Sequence, residues 1–416
     1  MSEVIAIDNR ARAPRPAHVP AELVREIDMY DLDGIEDGMA DAWKRLQTPD
    51  MPDLVWTPLT GGHWIAMRGA MVREIYENPD RFSSYVIFLP KEAGEKYTAV
   101  PTRMDPPEHT PYRKLLDAVL NPAQVRRMEV AVRQTAVELI EGFVARGECD
   151  FAREFARPFP VRIFVTMAGL PMADVPALLR LVEAMMRPAG NSPEEMAVNF
   201  AAANQGFCDY VEPVIQARRG GNGTDLISML INGSINGEPM EHEKAVGLIL
   251  LLLLGGLDTV VNFLSTMMAY LARHPDKVAE IREDGVKLQR GVEELFRRFP
   301  VVAEARMVAH DMTYHGVELK QGDMVLAPTP LCGLDDAENT DPLALDWDRK
   351  QISHTMFGAG PHRCAGMHLA RLEAIVTLQE WLKRIPRFTL APGSAPIHQA
   401  GIVAGVENVQ LVWSPD

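Results

Sequence analysis

The chain has 416 residues, of which 47% are hydrophobic, so it is long enough to bury a large core. Its formal net charge of −15 argues against nucleic acid and against an anionic membrane surface as the main partner. The four cysteines are scattered, with no Cys-x-x-Cys pair, which excludes the common zinc spacings and predicts no disulfide framework. This cysteine usage is typical of a reducing compartment.

The N-terminal segment, residues 1–20, is polar and proline-rich and contains no apolar stretch of signal-peptide type. We predict a disordered arm there, followed by one large domain over residues 21–416. The longest apolar run, residues 245–257, ends after thirteen residues, which is too short to cross a bilayer and is typical of a buried core helix. We therefore expect a soluble, cytoplasmic protein that does not bind a membrane.

In chain order, the first predicted element is a β-hairpin. Residues 54–56 and 63–67 have strand character and flank the turn signal Thr60-Gly61-Gly62. Helical patterning begins near Ala70. Residues 81–102 follow without a clear period, and an irregular stretch of this length in a compact chain is usually functional or mobile.

The middle of the chain is mostly helical, from residue 111 to residue 183. Proline and glycine in residues 186–194 separate two further helices and predict a hinge. Alternating residues return in 312–326 and 402–413 and predict strands. The predicted fold class is mainly α with small β-sheets.

A glycine-rich loop, residues 357–366 (FGAGPHRCAG), ends in Cys364 just before a helical pattern. A helix N-terminus favours thiolate over thiol. A lone cysteine in a turn is more often a buried free thiol. However, the spacing Phe-x-x-Gly-x-x-x-Cys-x-Gly resembles the heme-thiolate signature of the cytochrome P-450 family, whose iron is held by one cysteine. The resemblance implies the cytochrome P-450 fold, bound heme b (iron protoporphyrin IX) and Cys364 as the metal ligand.

The apolar helix contains Gly255 and Gly256, each of which costs about 1 kcal/mol relative to Ala and requires a reason. One reason is close helix packing, with the Thr259 hydroxyl bonded to a carbonyl one turn earlier. The other is a local opening of the helix beside a ligand, with Asp258 and Thr259 handling protons. This stretch resembles the oxygen-activating segment of the same family, which implies that Asp258 and Thr259 are catalytic.

Glu294 and Arg297 are three residues apart on a helical segment and share a face, which by itself indicates a weak surface ion pair. In the family, the corresponding pair locks with an arginine that precedes the cysteine loop, and Arg349 is placed to match. The resemblance implies that these three residues support the heme side of the fold.

Heme carries two carboxylates, and their burial requires cationic or hydrogen-bonding partners. Arg113, Arg306 and His362 align with the residues that bind the heme propionates in the family, and His109 is a further candidate. Each of them has an ordinary alternative as a solvated surface charge.

From about Val55 to Pro415 the sequence also resembles the bacterial camphor 5-monooxygenases of this family. The resemblance implies a substrate pocket with one hydroxyl donor and apolar walls, formed by Tyr97, Phe88, Thr102, Met186, Leu251, Leu254, Val302, Ile402 and Val403. Tyr97 would hold a ketone oxygen, and its alternative is a packed aromatic side chain in a loop. Tyr85 stands where the relatives have a glutamate, so it stays open whether a monovalent cation binds beside Tyr97.

The implied function is hydroxylation of an unactivated C–H bond of a monoterpenoid by dioxygen, with camphor at the 5-exo position as the leading candidate. A two-iron ferredoxin, reduced by an NADH-dependent flavoprotein, would bring electrons to a basic patch of Arg73, Arg113 and Lys350. Two alternatives stay open. One is the same chemistry on another terpenoid or a norisoprenoid. The other is a heme sensor without turnover, which would keep Cys364 and have no need of Asp258 and Thr259.

Overall fold

The computed structural model describes residues 12–95, 100–186, 189–190 and 193–414. Within these ranges the chain forms fourteen α-helices and fourteen short strands, which confirms a mainly helical fold with small sheets. The helices are α1 (Met39–Leu46), α2 (Gly69–Glu77), α3 (Lys91–Gly94), α4 (His109–Leu120), α5 (Pro122–Glu141), α6 (Pro158–Met167), α7 (Val175–Met186), α8 (Pro193–Arg218), α9 (Leu226–Ile231), α10 (His242–Arg273), α11 (Pro275–Arg282), α12 (Gly285–Arg298), α13 (Pro330–Gly333) and α14 (Met367–Arg384). The strands are β1 (Leu54–Thr57), β2 (His63–Ala66), β3 (Phe82–Ser83), β4 (Glu148–Asp150), β5 (Ser234–Ile235), β6 (Glu238–Pro239), β7 (Ala303–Val308), β8 (Met312–Tyr314), β9 (Val317–Leu319), β10 (Met324–Pro328), β11 (Thr389–Leu390), β12 (His398–Gln399), β13 (Gly405–Val406) and β14 (Gln410–Val412).

The predicted hairpin is confirmed by the antiparallel pair β1–β2, in which Leu54 lies opposite Ala66. Its turn places Thr60, Gly61 and Gly62 at positive φ, a region that glycine adopts without a steric penalty. The predicted break at residues 186–194 separates α7 from α8. The predicted strands of residues 312–326 are found as β8, β9 and the start of β10.

A five-stranded sheet in the order β1-β2-β10-β7-β3 forms one side of the molecule. Strand β10 runs parallel to β2 and antiparallel to β7, and all five of its residues are buried. Arg306 lies on β7 and is 3% exposed, so the sheet carries a cation inward. A buried arginine requires hydrogen-bond or ionic partners for its charge. The inward face of the sheet therefore has a polar site at Arg306.

Helix α10 runs through the centre of the molecule and joins its two hydrophobic clusters. Its first half, up to Leu257, packs in a cluster with α7, α8 and α9, and its second half, from Val260, packs in the main core with α12 and the large sheet. By length and composition alone this helix is also apolar enough to cross a membrane. However, 61% of its most apolar window is buried by the rest of the fold, as in the core helix of a soluble protein.

Residues 12–20 differ from the disordered arm that we predicted, because they pack on the body of the protein. Val19 is 1% exposed and belongs to the main core. His18 Nε2 lies 2.9 Å from Asp323 Oδ2, and the same oxygen accepts a hydrogen bond from Trp64 Nε1. The polar composition concealed one buried valine and one histidine that is hydrogen-bonded to the body of the protein. Residues 1–11 of the predicted arm lie outside the described residues.

Candidate active site

A cavity of about 310 Å³ lies between α10 and the loop of residues 357–366. Leu251, Gly256 and Thr259 line it from α10, and Phe357 and Cys364 line it from the loop. The remaining walls come mainly from α4, α6, α14 and β7. Both sequence segments that resemble the P-450 family therefore line the same cavity.

The cysteine loop has a backbone conformation that depends on its glycines. Cys364 N–H donates to the Phe357 carbonyl at 2.8 Å and closes the loop. Gly358 and Gly360 have φ values of +66° and +64°, where side chains cause strain. A Cβ at Gly360 would collide with the backbone of Tyr76. The loop therefore presents Cys364 Sγ to the cavity, which argues against an ordinary buried thiol.

Cys364 does not behave as a free low-pKa thiol in the chain alone. Burial raises its pKa, and the backbone N–H of Gly366 and the charge of Arg113 only partly oppose that shift. The thiolate that we predicted from the helix N-terminus therefore needs a further positive charge. A metal ion bound at the sulfur supplies that charge and deprotonates a coordinating thiol.

Four basic side chains meet at one edge of the cavity, as the sequence predicted. Arg113, Arg306, His109 and His362 all line it. The rings of His109 and His362 lie 4.2 Å apart between centroids. Arg113 donates to the backbone carbonyls of Pro361 and Arg363 and so ties α4 to the cysteine loop. Chain positions from 109 to 362 thus form one positively charged edge.

His362 shows what this edge lacks. Its Nε2 is buried without a hydrogen-bond partner. Burial, the charge of Arg306 and the charge of His109 lower the pKa of His362 to about 3. Glu304 also lines this edge and pairs with Arg306 at 3.3 Å, but the buried Nε2 of His362 still lacks a partner. A heme would supply carboxylates there and an iron atom at Cys364. The residues present therefore fit a heme.

The geometry of α10 supports neither close packing nor a local opening as the reason for its glycines. A Cβ at Gly256 would have nothing within 4 Å, so close helix packing does not require this glycine. Thr259 Oγ1 donates to the Gly255 carbonyl at 3.0 Å, one turn earlier. The local opening that we predicted is absent, because α10 is continuous from His242 to Arg273. The glycines instead leave open space above an intact helix.

Asp258 and Thr259 occupy different positions. Thr259 lines the cavity, whereas Asp258 is half-buried on α10 and is not among the lining residues. Asp258 therefore does not face this cavity and would not contact a ligand in it directly. A role for Asp258 must act through Thr259 or through water.

The predicted lock of Glu294, Arg297 and Arg349 is confirmed, and it is buried rather than on the surface. Arg297 Nε and Nη2 donate to the Glu294 carboxylate at 2.7 and 2.8 Å, and Arg349 Nε donates to it at 3.0 Å. Glu294 and Arg297 are 0% exposed and Arg349 is 9% exposed. The remaining guanidinium N–H groups donate to backbone carbonyls, including those of Gly333 and Thr340. This network fixes the chain that leads into the cysteine loop.

The predicted substrate residues are distributed over several positions. Thr102, Leu251 and Val302 line the cavity. Leu254 is buried in the cluster around α7, α8 and α9. Ile402 and Val403 lie behind Val302, through the Ala303–Ile402 hydrogen bond and the Val302–Val403 bridge. Three predicted residues remain to be placed: Phe88 is half-buried and is not among the cavity-lining residues, Tyr97 lies outside the described residues, and so does the side chain of Met186 at the end of α7.

The sequence analysis missed Glu373, which lines the cavity from α14 and is 2% exposed. Burial raises its pKa to about 8, so the side chain is largely protonated at neutral pH. Leu369 and Ala370, four and three residues before it, line the cavity as well. An acid on this otherwise apolar helix face was the signal that could have identified it.

Comparison with known proteins agrees with this geometry. The sequence profile of the cytochrome P450 family matches residues 184–399. The probable cytochrome P450 127A1 of Sinorhizobium fredii is 31% identical, over 96% of this chain and 97% of the relative. A steroid C26-monooxygenase of Mycolicibacterium smegmatis is 30% identical, over 83% of this chain and 86% of the relative.

Two crystal structures are similar along nearly the whole chain. CYP101J2 is 40% identical, with a TM-score of 0.89 over 97% of this chain and 100% of its own. CYP101C1 is 35% identical, with a TM-score of 0.89 over 96% of this chain and 100% of its own. With a cysteine loop, a basic edge and an α10 wall around one cavity, the chain belongs to the cytochrome P450 family of monooxygenases and is similar to its CYP101 group.

Proposed function

We propose that this protein is a soluble, cytoplasmic monooxygenase of the camphor 5-monooxygenase type, with one catalytic domain that includes residues 12–20 in addition to the predicted range from residue 21. Its substrate is a monoterpenoid, with camphor at the 5-exo position as the first candidate. The observation that carries this proposal is the single cavity in which Cys364 Sγ faces the Thr259 side of α10 across an apolar space. The sequence similarity to CYP101J2 and CYP101C1 supports it.

The heme, when bound through Cys364, supplies the redox chemistry that activates dioxygen. The chain supplies the surroundings. Arg113, Arg306, His109 and His362 bind the heme carboxylates, and the apolar residues of α4, α6 and α10 exclude water. Two arginines and two histidines on one edge would place the heme carboxylates at that edge.

Thr259 handles protons beside the place where oxygen reacts. Its hydroxyl hydrogen is engaged with the Gly255 carbonyl, so its lone pairs face the cavity and can accept a hydrogen bond. Asp258, one residue earlier and half-buried, exchanges protons between Thr259 and the outside of the cavity. A threonine that accepts a hydrogen bond and a carboxylate that exchanges protons together give controlled proton delivery.

The substrate fits the remaining wall. Thr102, Leu251 and Val302 offer a mostly aliphatic surface, which suits a rigid terpenoid with one carbonyl group. Tyr97 is the proposed donor to that carbonyl. A monovalent cation beside Tyr97 is not part of this proposal.

Electrons are proposed to come from a two-iron ferredoxin that is reduced by an NADH-dependent flavoprotein. Arg113 donates a hydrogen bond to the Pro361 carbonyl in the cysteine loop, and Arg73 donates to Ser353 Oγ at 2.8 Å. Lys350 is exposed. The proposed docking face consists of these three cations, and Arg363, which is exposed next to Cys364, extends it.

Product analysis tests this function. The purified protein is reduced under carbon monoxide, and we expect the strongly red-shifted absorption of sulfur-ligated heme; its absence would contradict Cys364 as the ligand. Camphor is then added with a ferredoxin, its reductase and NADH, and 5-exo-hydroxycamphor is the expected product. A spin-state shift with another terpenoid or a norisoprenoid, and none with camphor, would move the assignment to that substrate. NADH consumption that yields only peroxide with every terpenoid would contradict the catalytic proposal.

A further inference from the structure

Two backbone carbonyls near the cavity converge on one positive charge. Arg103 Nε donates to the Tyr85 carbonyl and Arg103 Nη1 donates to the Glu95 carbonyl, both at 2.6 Å. The guanidinium carbon also lies 4.8 Å from the centroid of the Tyr85 ring. Arg103 therefore joins two points of the chain that are ten residues apart.

Converging carbonyl oxygens repel each other, and proteins usually place a cation between them. Alkali-metal ions fill this role where carbonyls form a ring. Here the cation belongs to the chain itself. A guanidinium remains charged at all working pH values and directs its N–H groups as a planar fork, which suits two acceptors in fixed positions.

We call the two hydrogen bonds from Arg103 to the Tyr85 and Glu95 carbonyls the clamp. The residues just before Arg103 belong to the cavity wall. Pro101 and Thr102, immediately before Arg103, both line the cavity, and Met104 N–H donates to the Pro101 carbonyl at 3.0 Å. On the other side of Arg103, Asp105 accepts hydrogen bonds from Ser83 Oγ at 2.5 Å and Ser84 N–H at 2.8 Å. Arg103 thus lies between two cavity-lining residues and an aspartate that is held by Ser83 and Ser84.

We propose that Arg103 is a positioning residue that acts as a built-in cation. It holds the segment from Tyr85 to Glu95 beside the pocket wall of Pro101 and Thr102 and makes substrate binding independent of added monovalent cations. The alternative is an ordinary surface arginine, whose hydrogen bonds contribute little. The choice of a terpenoid as the ligand in the test rests on the proposed function, whereas the clamp itself does not.

The test compares Arg103→Gln, Arg103→Lys and a matched control, Arg127→Gln, which changes an exposed arginine on α5. Terpenoid dissociation constants are measured from the spin-state shift of the heme-loaded protein. Each is measured in potassium chloride and in tetramethylammonium chloride of equal ionic strength. We expect the unmodified protein and Arg127→Gln to give the same constant in both salts.

We expect Arg103→Gln to bind about tenfold more weakly in tetramethylammonium, because two hydrogen bonds to a charged group are lost. Potassium or methylguanidinium should restore much of that affinity, since either places a cation between the two carbonyls. Arg103→Lys should lie between, because it keeps the charge and loses the fork. A potassium requirement in the unmodified protein, or full affinity in Arg103→Gln without added cation, would overturn the proposal.

Hydrogen exchange separates this proposal from the proposed function. In the ligand-free protein, Arg103→Gln should speed amide exchange in residues 84–95, and potassium or methylguanidinium should reverse the effect. If no terpenoid produces a spin-state shift, the proposed substrate class fails, and the exchange experiment still decides on Arg103. Unchanged exchange in Arg103→Gln would contradict the clamp whatever the substrate is.

Discussion

The wall of the cavity that carries Cys364 and the opposite wall on α10 are held by different interactions. Behind the cysteine loop, Glu294, Arg297 and Arg349 form a buried charged network that also binds backbone carbonyls. On α10, the glycines and Thr259 rest on a continuous helix whose other faces pack in two apolar clusters. One wall is fixed by directional bonds and the other by packing.

This difference suits the two tasks. A metal ligand, the role that we propose for Cys364 Sγ, must stay at one distance and angle, and charge-assisted hydrogen bonds define geometry closely. A substrate wall must accept a rigid apolar molecule, and aliphatic contacts tolerate small adjustments without leaving a polar group unsatisfied. The comparison therefore predicts that variants behind Cys364 act on stability, whereas variants on α10 act on turnover.

The largest effect is expected for Glu294→Gln. The amide would leave two buried guanidinium groups without their counter-charge, and we expect a loss of about 3–5 kcal/mol in the free energy of unfolding. Chemical denaturation measures it, and heme absorbance per chain shows whether the cofactor is retained. The matched control is Glu293→Gln at the adjacent position, where the side chain is 33% exposed and pairs with Arg371. Equal losses in both variants would contradict the role that we assign to burial of the network.

An effect on turnover rather than stability is expected for Thr259→Ala. The hydroxyl donates to a helix carbonyl that is already part of α10, so its removal should cost less than about 1 kcal/mol of stability. The ratio of hydroxylated product to NADH consumed should fall at least about tenfold, because protons are no longer delivered in a controlled way. Measured peroxide should account for the difference. Thr259→Ser keeps the hydroxyl and should retain most of the product, and an unchanged ratio in Thr259→Ala would remove Thr259 from catalysis.

The smallest effect is expected at Glu373, which lies behind the cysteine loop on α14. Its pKa is raised from 4.5 to about 8 by burial, so the folded state keeps a proton that the unfolded chain releases. The contribution of protonated Glu373 to the free energy of unfolding is fully present below pH 4.5 and is lost as the pH rises through about 8. Glu373→Gln cannot ionise, so it should be more stable than the unmodified protein at pH 8, with no such gain near pH 4.5.

Thermal unfolding of the heme-loaded protein across this pH range measures the effect. Glu380→Gln on the same helix is the control with the opposite sign. Burial alone would raise the pKa of Glu380, but hydrogen bonds from Arg133 and Arg384 lower it. That variant should lose stability at pH 8, where the carboxylate is ionised and paired. A pH-independent difference in the Glu373 variant would contradict a buried, titrating acid.

Much of the site could be predicted because its elements are short and local. The glycine and cysteine spacing of residues 357–366 predicted Cys364 as the heme ligand, and the apolar run before Asp258 predicted α10. The basic residues Arg113, Arg306 and His362 were predicted through a family resemblance, since nothing in their separate neighbourhoods places them together. The packing of residues 12–20 was missed, because composition averages over the one or two side chains that enter a core.

The sequence by itself determined the backbone of the cysteine loop, the β1–β2 hairpin and the helical character of α10, because these depend on φ preferences and on periodicity over a few residues. Only the tertiary structure decided the charge states and partners. The raised pKa of Glu373, the unpaired Nε2 of His362 and the hold of Arg103 on Tyr85 and Glu95 depend on neighbours distant in sequence and on exclusion of water. Desolvation and Coulomb interactions follow distance in space, which no local pattern records.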